Sequence, residues 1–90
     1  NNIIAFMQSS GYIRLEEKSS ATSKNLYQAY GRWCEDNTEK PMSAKSFSGY
    51  LKENEKKYHI HYSTNIPSDN GKNARGFQGI HTQIRIDSYR

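Results

Sequence analysis

The 90-residue chain has no long apolar run, one cysteine and no phosphate-binding glycine loop, and each shortage removes a class of function. No stretch approaches the roughly 20 consecutive apolar residues of a membrane-spanning helix. Residues 1–10 have neither the basic start nor the long apolar stretch of a secretory signal. Cys34, standing alone, can form no internal disulfide and no Cys-rich zinc site, which fits a reducing, cytoplasmic setting. Gly71-Lys72 lacks both the upstream glycine and the following Ser/Thr of GxxxxGK[ST], so no ATP-hydrolysing loop is expected. Nor does anything pair Cys34 with a histidine base and an oxyanion site. The fragment is therefore read as non-catalytic, with no cofactor. It opens on Asn1-Asn2 without an initiator Met, and residues 1–90 are read as one domain of something longer.

What the chain does have is tyrosine and base. Only 33% of residues are hydrophobic, yet there are seven Tyr, each able to bury a ring while keeping its hydroxyl wet. The net charge of +4 is unevenly spread. Through Glu39, four bases (Arg14, Lys18, Lys24, Arg32) meet five acids (Glu16, Glu17, Glu35, Asp36, Glu39), net −1. From Lys40 onward nine bases meet four acids, net +5. A positive field confined to one half suits a polyanion-facing surface; a solvated basic face with no partner is the plainer alternative.

The periodicities predict three helices and then β structure. Ile3, Ile4, Phe6 and Met7 give a first short helix, stopping near Ser9-Ser10-Gly11, with a weak continuation of the pattern to Leu15. Residues 19–23 read as a polar link, in which Ala21-Thr22 could pair as a very short strand. A second helix follows Ser23 as N-cap, with Leu26, Tyr27, Tyr30, Trp33, Cys34 and Asn37 on its apolar stripe. Gly31 within it implies a close packing neighbour, and Pro41 marks the end of the segment. A third helix after Ser43 buries Ala44, Phe47, Ser48 and Leu51, with Tyr50 at its margin. Its outward face is small, polar and basic: Lys45, Ser46, Gly49, Lys52 and Glu53. Alternation over residues 58–62 and 80–86 predicts two strands, joined through a long connection holding Asn70-Gly71 and expected to have a mobile tip.

Three helices followed by a β-hairpin is the order of an α+β winged helix-turn-helix. There the third helix enters the major groove and the hairpin, the wing, touches flanking backbone or the minor groove. Protein-contact versions of the same scaffold are the alternative.

The segment Leu26-Tyr27-Gln28-Ala29-Tyr30-Gly31-Arg32-Trp33-Cys34-Glu35-Asp36-Asn37 resembles the LYxAYxxWCxxN stretch of the phage, plasmid and poxvirus-type primase–helicases. The run from Lys40-Pro41-Met42-Ser43 through Phe47 to Leu51 is similar to their KPLSxxxFxxxL, and Gly76-Phe77-Gln78-Gly79-Ile80 to their closing aromatic-x-Gly-Ile strand. The likeness is dense from Leu26 to Leu51 and thin elsewhere. It implies a C-terminal winged helix attached to a ring-forming superfamily-3 ATPase, often with a primase region upstream. The chain would then serve DNA replication in phages, plasmids and other mobile elements, including origin recognition, with duplex DNA favoured over single strands. Two departures stand out: a long Ile66–Arg75 wing, and only two lysines on the third helix. Modest affinity per copy would follow, raised by avidity in a ring.

By the resemblance, Lys45, Ser46, Gly49 and Lys52 map to the exposed face of the recognition helix. Lys72, Asn73 and Arg75 are chosen on charge and loop position alone. Trp33, Tyr27 and Tyr30 read as core, while Tyr50 and Tyr62 remain open to a sugar–phosphate contact. His59-x-His61, two imidazoles about 7 Å apart on one strand face by strand rise, with His81 on a partner strand, sketch a zinc set. Without a carboxylate or second cysteine to complete it, they read as exposed strand histidines and no metal is assigned. The alternative function is a protein-interaction winged helix recruiting a replication partner or a neighbouring subunit, for which tyrosine-rich surfaces are suited.

Overall fold

Each of the longer helices begins where a short polar side chain can take an orphan backbone N–H. The Thr22 hydroxyl accepts from the Asn25 N–H at 3.1 Å, so the second helix is capped one residue earlier than expected. Ser43 caps the third as expected, accepting from the Ser46 N–H at 3.1 Å. The computed structural model describes residues 1–9 and 11–83. Their elements, in chain order, are α1 (Asn2–Met7), β1 (Ile13–Thr22), α2 (Ser23–Asp36), α3 (Ala44–Glu53), α4 (Glu55–Tyr58), β2 (His61–Pro67) and β3 (Asn73–Thr82). The result is an α+β domain: four helices and a three-stranded antiparallel sheet of order β1-β3-β2 among the described residues. None of these helices is long and apolar enough to cross a membrane.

Several elements differ from the sequence reading, among them β3, which begins at Asn73 where a loop is expected. Residues 13–22 form a ten-residue strand rather than a polar link, with the Ala21-Thr22 pair at its end opposite Phe77 and Gly76. Between Leu15, which faces Ile80, and Ser20, which faces Gln78, residues 16–19 have only Gly79 opposite them. That bulge erases the period-2 pattern. Another difference is at Tyr58-His59-Ile60. Tyr58 closes the helical turn α4, His59 adopts a left-handed conformation (φ 57), and β2 begins only at His61. Tyr58 and Ile60 are buried and His59 and His61 exposed, so the alternation is real, but a turn produces it. The expected strand residues Ile84, Arg85 and Ile86 lie outside the described residues.

The helices pack their aromatics together against the sheet. Tyr30 and Phe47 stack with centroids 4.8 Å apart, Phe6 meets Tyr30 edge-on at 5.5 Å, and Phe6 also contacts Trp33 and Phe47. Such pairs add about 0.5–1.5 kcal/mol beyond the area they bury. Leu26, Ala29, Leu51, Phe77 and Ile80 belong to the same cluster. Ala44, expected in the stripe of α3, is exposed, and Ser48 is half-buried. Asn37 is exposed as the C-cap of α2, its amide donating to the Trp33 carbonyl at 2.8 Å.

Gly79 is required twice over. Its φ of +91° suits glycine, and a Cβ there would lie 2.6 Å from the His59 carbonyl oxygen. Gly76 lets β3 pass β1, since a Cβ would sit 2.3 Å from the Ala21 oxygen. Gly31, by contrast, has nothing within 4 Å of its would-be Cβ, so the close neighbour expected for it does not exist among the described residues.

A candidate nucleic-acid interface

The entry to α3 is fixed by two tyrosines of α2. The Met42 N–H donates to the Tyr30 hydroxyl at 2.8 Å, and the Tyr27 hydroxyl donates to the Met42 carbonyl at 2.7 Å. Tyr30 in turn donates to Asn2 Oδ1, and the Asn2 amide donates to the Lys40 carbonyl at 2.9 Å. Both polar groups of the Met42 peptide are thus held directly before the Ser43 cap. The hydroxyls that make these rings tolerable in a core set where the third helix starts.

From that start, Phe47 and Leu51 point into the core while Lys45, Ser46 and Lys52 are exposed. Gly49 is half-exposed on the same outward side, and among the described residues nothing lies within 4 Å of its would-be Cβ. Packing within the domain therefore does not demand a glycine there. The Ser43 hydroxyl donates to Ser46 Oγ at 3.1 Å, and Ser46 Oγ donates to no partner among the described residues.

At the far end of α3 the Lys52 ammonium sits over the Tyr62 ring, 4.2 Å from its centroid. Tyr62 packs edge-on against Phe77 (5.5 Å), and its N–H donates to Glu55 Oε2 at 2.6 Å. The two open tyrosines thus part company. Tyr50 has its hydroxyl engaged with that of Tyr58 at 2.7 Å, whereas Tyr62 has no side-chain hydrogen bond among the described residues. Burial and the Tyr50 hydroxyl push the Tyr58 phenol up to about 12.

The hairpin is tighter than its sequence suggested. The strands extend to Pro67 and resume at Asn73, leaving a five-residue connection, residues 68–72. The Ser68 N–H donates to the Lys72 carbonyl at 3.0 Å, the Gly71 N–H to the Ser68 carbonyl at 3.1 Å, and the Lys72 N–H to Asn70 Oδ1 at 3.0 Å. Lys72, Asn73 and Arg75 are all exposed. Arg75 is the single residue opposite the two-residue bulge Thr64-Asn65. The hairpin end also borders a cleft against the start of α2, lined by Lys24, Asn25, Ser68 and Asn70.

The seven sequence-chosen residues thus fall into two groups, on α3 and on the hairpin, linked through Lys52, Tyr62 and Phe77. Among the described residues the ion pairs are Arg14–Glu16 (3.8 Å) and Arg32–Asp36 (3.4 Å), both in the first half of the chain. Lys45, Lys52, Lys72 and Arg75 have no carboxylate within pairing distance among the described residues.

The histidines do not assemble. His59 caps α4 outside any strand, His61 faces Gln78, and His81 faces Arg14. No three His, Cys, Asp or Glu side chains converge among the described residues. Cys34 is buried, and desolvation pushes its thiol above the ordinary range. No protein-family model, curated protein or solved structure matches the chain.

Proposed function

We propose that the chain is a winged-helix DNA-binding domain of a replication protein of the primase–helicase kind, acting in the cytoplasm on duplex DNA. The observation that carries the proposal is the exposed cations on the outward face of α3 and on the hairpin, which have no carboxylate partner among the described residues. The element order and the β1-β3-β2 sheet are compatible with a winged helix. In this reading α3 lies in the major groove, with Lys45 and Lys52 on phosphates, Ser46 on a phosphate or base edge, and Gly49 allowing close approach. Lys72, Asn73 and Arg75 meet the flanking backbone or minor groove. Duplex is favoured over single strand because Trp33, Phe6, Phe47 and Phe77 are buried, so they offer no platform for unpaired bases. The chemistry of replication would belong to fused ATPase and primase regions, whose ring assembly would multiply a modest affinity.

Fluorescence anisotropy with random duplex and single strand at two salt concentrations tests the proposal. Salt-sensitive duplex binding supports it, and substituting Lys45 and Lys52 by Ala is expected to lower the salt slope by about 2, one per phosphate. Binding insensitive to salt, or none, refutes it.

A second reading has one observation of its own. Leu15 is 45% exposed beside Glu16 and Glu17 at the β1 bulge, in a cleft shared with Tyr58 and His59. A protein partner seated there would stay bound at high salt, which separates the two readings.

A further inference from the structure

Lys52 differs from the other candidate cations in being held. A lysine on a helix surface ordinarily samples many rotamers, and fixing it on a ligand costs entropy. Here the order runs outward from the core. Phe77 is fully buried, Tyr62 packs edge-on against it, and the Tyr62 ring carries the Lys52 ammonium at 4.2 Å. The Tyr62 N–H bond to Glu55 pins the backbone beneath the ring. Glu55 Oε2 is engaged by that N–H, and Lys52 makes no ion pair among the described residues. Tyr62 keeps its hydroxyl free of side-chain hydrogen bonds among the described residues, unlike Tyr50, whose hydroxyl is engaged by Tyr58.

We propose that Tyr62 is a positioning and contact residue for nucleic acid: its ring holds Lys52 in place for one phosphodiester group, and its hydroxyl donates to that same group. The inference rests on the DNA-binding reading above and adds to it a contact at the junction of α3 and the hairpin. A cation stacked on an aromatic face gives up only part of its field and retains N–H donors for a phosphate oxygen. Pre-setting it reduces the ordering cost on binding.

The test is a double-mutant cycle on duplex affinity, read by anisotropy, with thermal melts to establish folding and proton NMR of the free protein. In the wild type the Lys52 ε-methylene protons are expected to be shifted upfield by the Tyr62 ring current. That shift should persist in Tyr62→Phe and vanish in Tyr62→Leu. Tyr62→Phe, which loses only the hydroxyl, should weaken duplex binding about twofold to threefold. Tyr62→Leu should weaken it about fivefold to tenfold. In the Lys52→Ala background, Tyr62→Leu should cost no more than Tyr62→Phe does. The inference is overturned if both Tyr62 variants bind within twofold of wild type. It is equally overturned if Tyr62→Leu costs as much with Lys52 removed as with it present. In either case the salt-dependent wild-type binding would stand and the DNA reading with it. Failure of the wild type to bind duplex at all would overturn both.

Discussion

The Tyr30 hydroxyl takes the Met42 N–H at 2.8 Å, one residue before the cap of α3. A core tyrosine thereby determines where the candidate reading helix begins, while its ring stacks on Phe47 of that same helix at 4.8 Å. Tyr30→Phe keeps the stack and leaves the Met42 N–H and Asn2 without their partner. The expected loss of stability is about 1–3 kcal/mol, measured by urea unfolding. Tyr27→Phe, which loses an exposed hydrogen bond, should cost less, about 0.5 kcal/mol.

The glycines separate folding from binding. Gly79→Ala forces a Cβ onto the His59 carbonyl at a positive φ and should cost more than about 2 kcal/mol. Gly31→Ala and Gly49→Ala meet open space inside helices and should each stabilise by about 0.5–1 kcal/mol in thermal melts. Gly49→Ala should nonetheless weaken duplex binding while Gly31→Ala leaves it unchanged. Equal affinity of the two variants would remove Gly49 from the interface.

Alkali should destabilise the domain, in part through Tyr58. The Tyr58 phenol is raised from its ordinary 10.0 to about 12, first by burial and then by the Tyr50 hydroxyl. Its protonated form is therefore favoured in the folded state. That contribution is complete below about pH 10, where the unfolded phenol is also protonated, and is lost as the pH rises toward 12. The Cys34 thiol, raised by burial, shifts in the same direction from 9.0. Urea midpoints at pH 8, 10 and 11 should fall above pH 10, and Tyr58→Phe should flatten part of that decline.

On the hairpin, Arg75→Ala should weaken duplex binding uniformly across sequences and reduce the salt slope by about 1, since phosphate contacts carry no base information. The exposed side chain should leave the melting temperature unchanged. Titrations against two unrelated duplexes provide the check.

The first three helices were legible because their burial is periodic: Leu26, Tyr30 and Trp33 face inward as spaced, and Ser43 caps as its residue type predicts. The first strand was hidden because only Ile13, Ala21 and Thr22 of its ten residues are buried, and the bulge at residues 16–19 removes the alternation. Residues 58–62 misled for the opposite reason, since a left-handed residue at His59 reproduces strand-like burial across a turn. The candidate site residues could be chosen from charge and helix face. The hold on Met42 and the seating of Lys52 on Tyr62 could not, because the first joins tyrosine hydroxyls to a backbone in another segment and the second joins a helix to a strand, through contacts that no local spacing encodes.

The most direct test of the account is a titration of the labelled domain with a short duplex, followed by backbone amide NMR. The account predicts salt-sensitive shift changes at Lys45, Ser46, Gly49 and Lys52 on α3, and at Lys72, Asn73 and Arg75 on the hairpin, with Leu15, Glu16 and Glu17 unaffected. An unchanged spectrum, or changes confined to the β1 bulge, would contradict it.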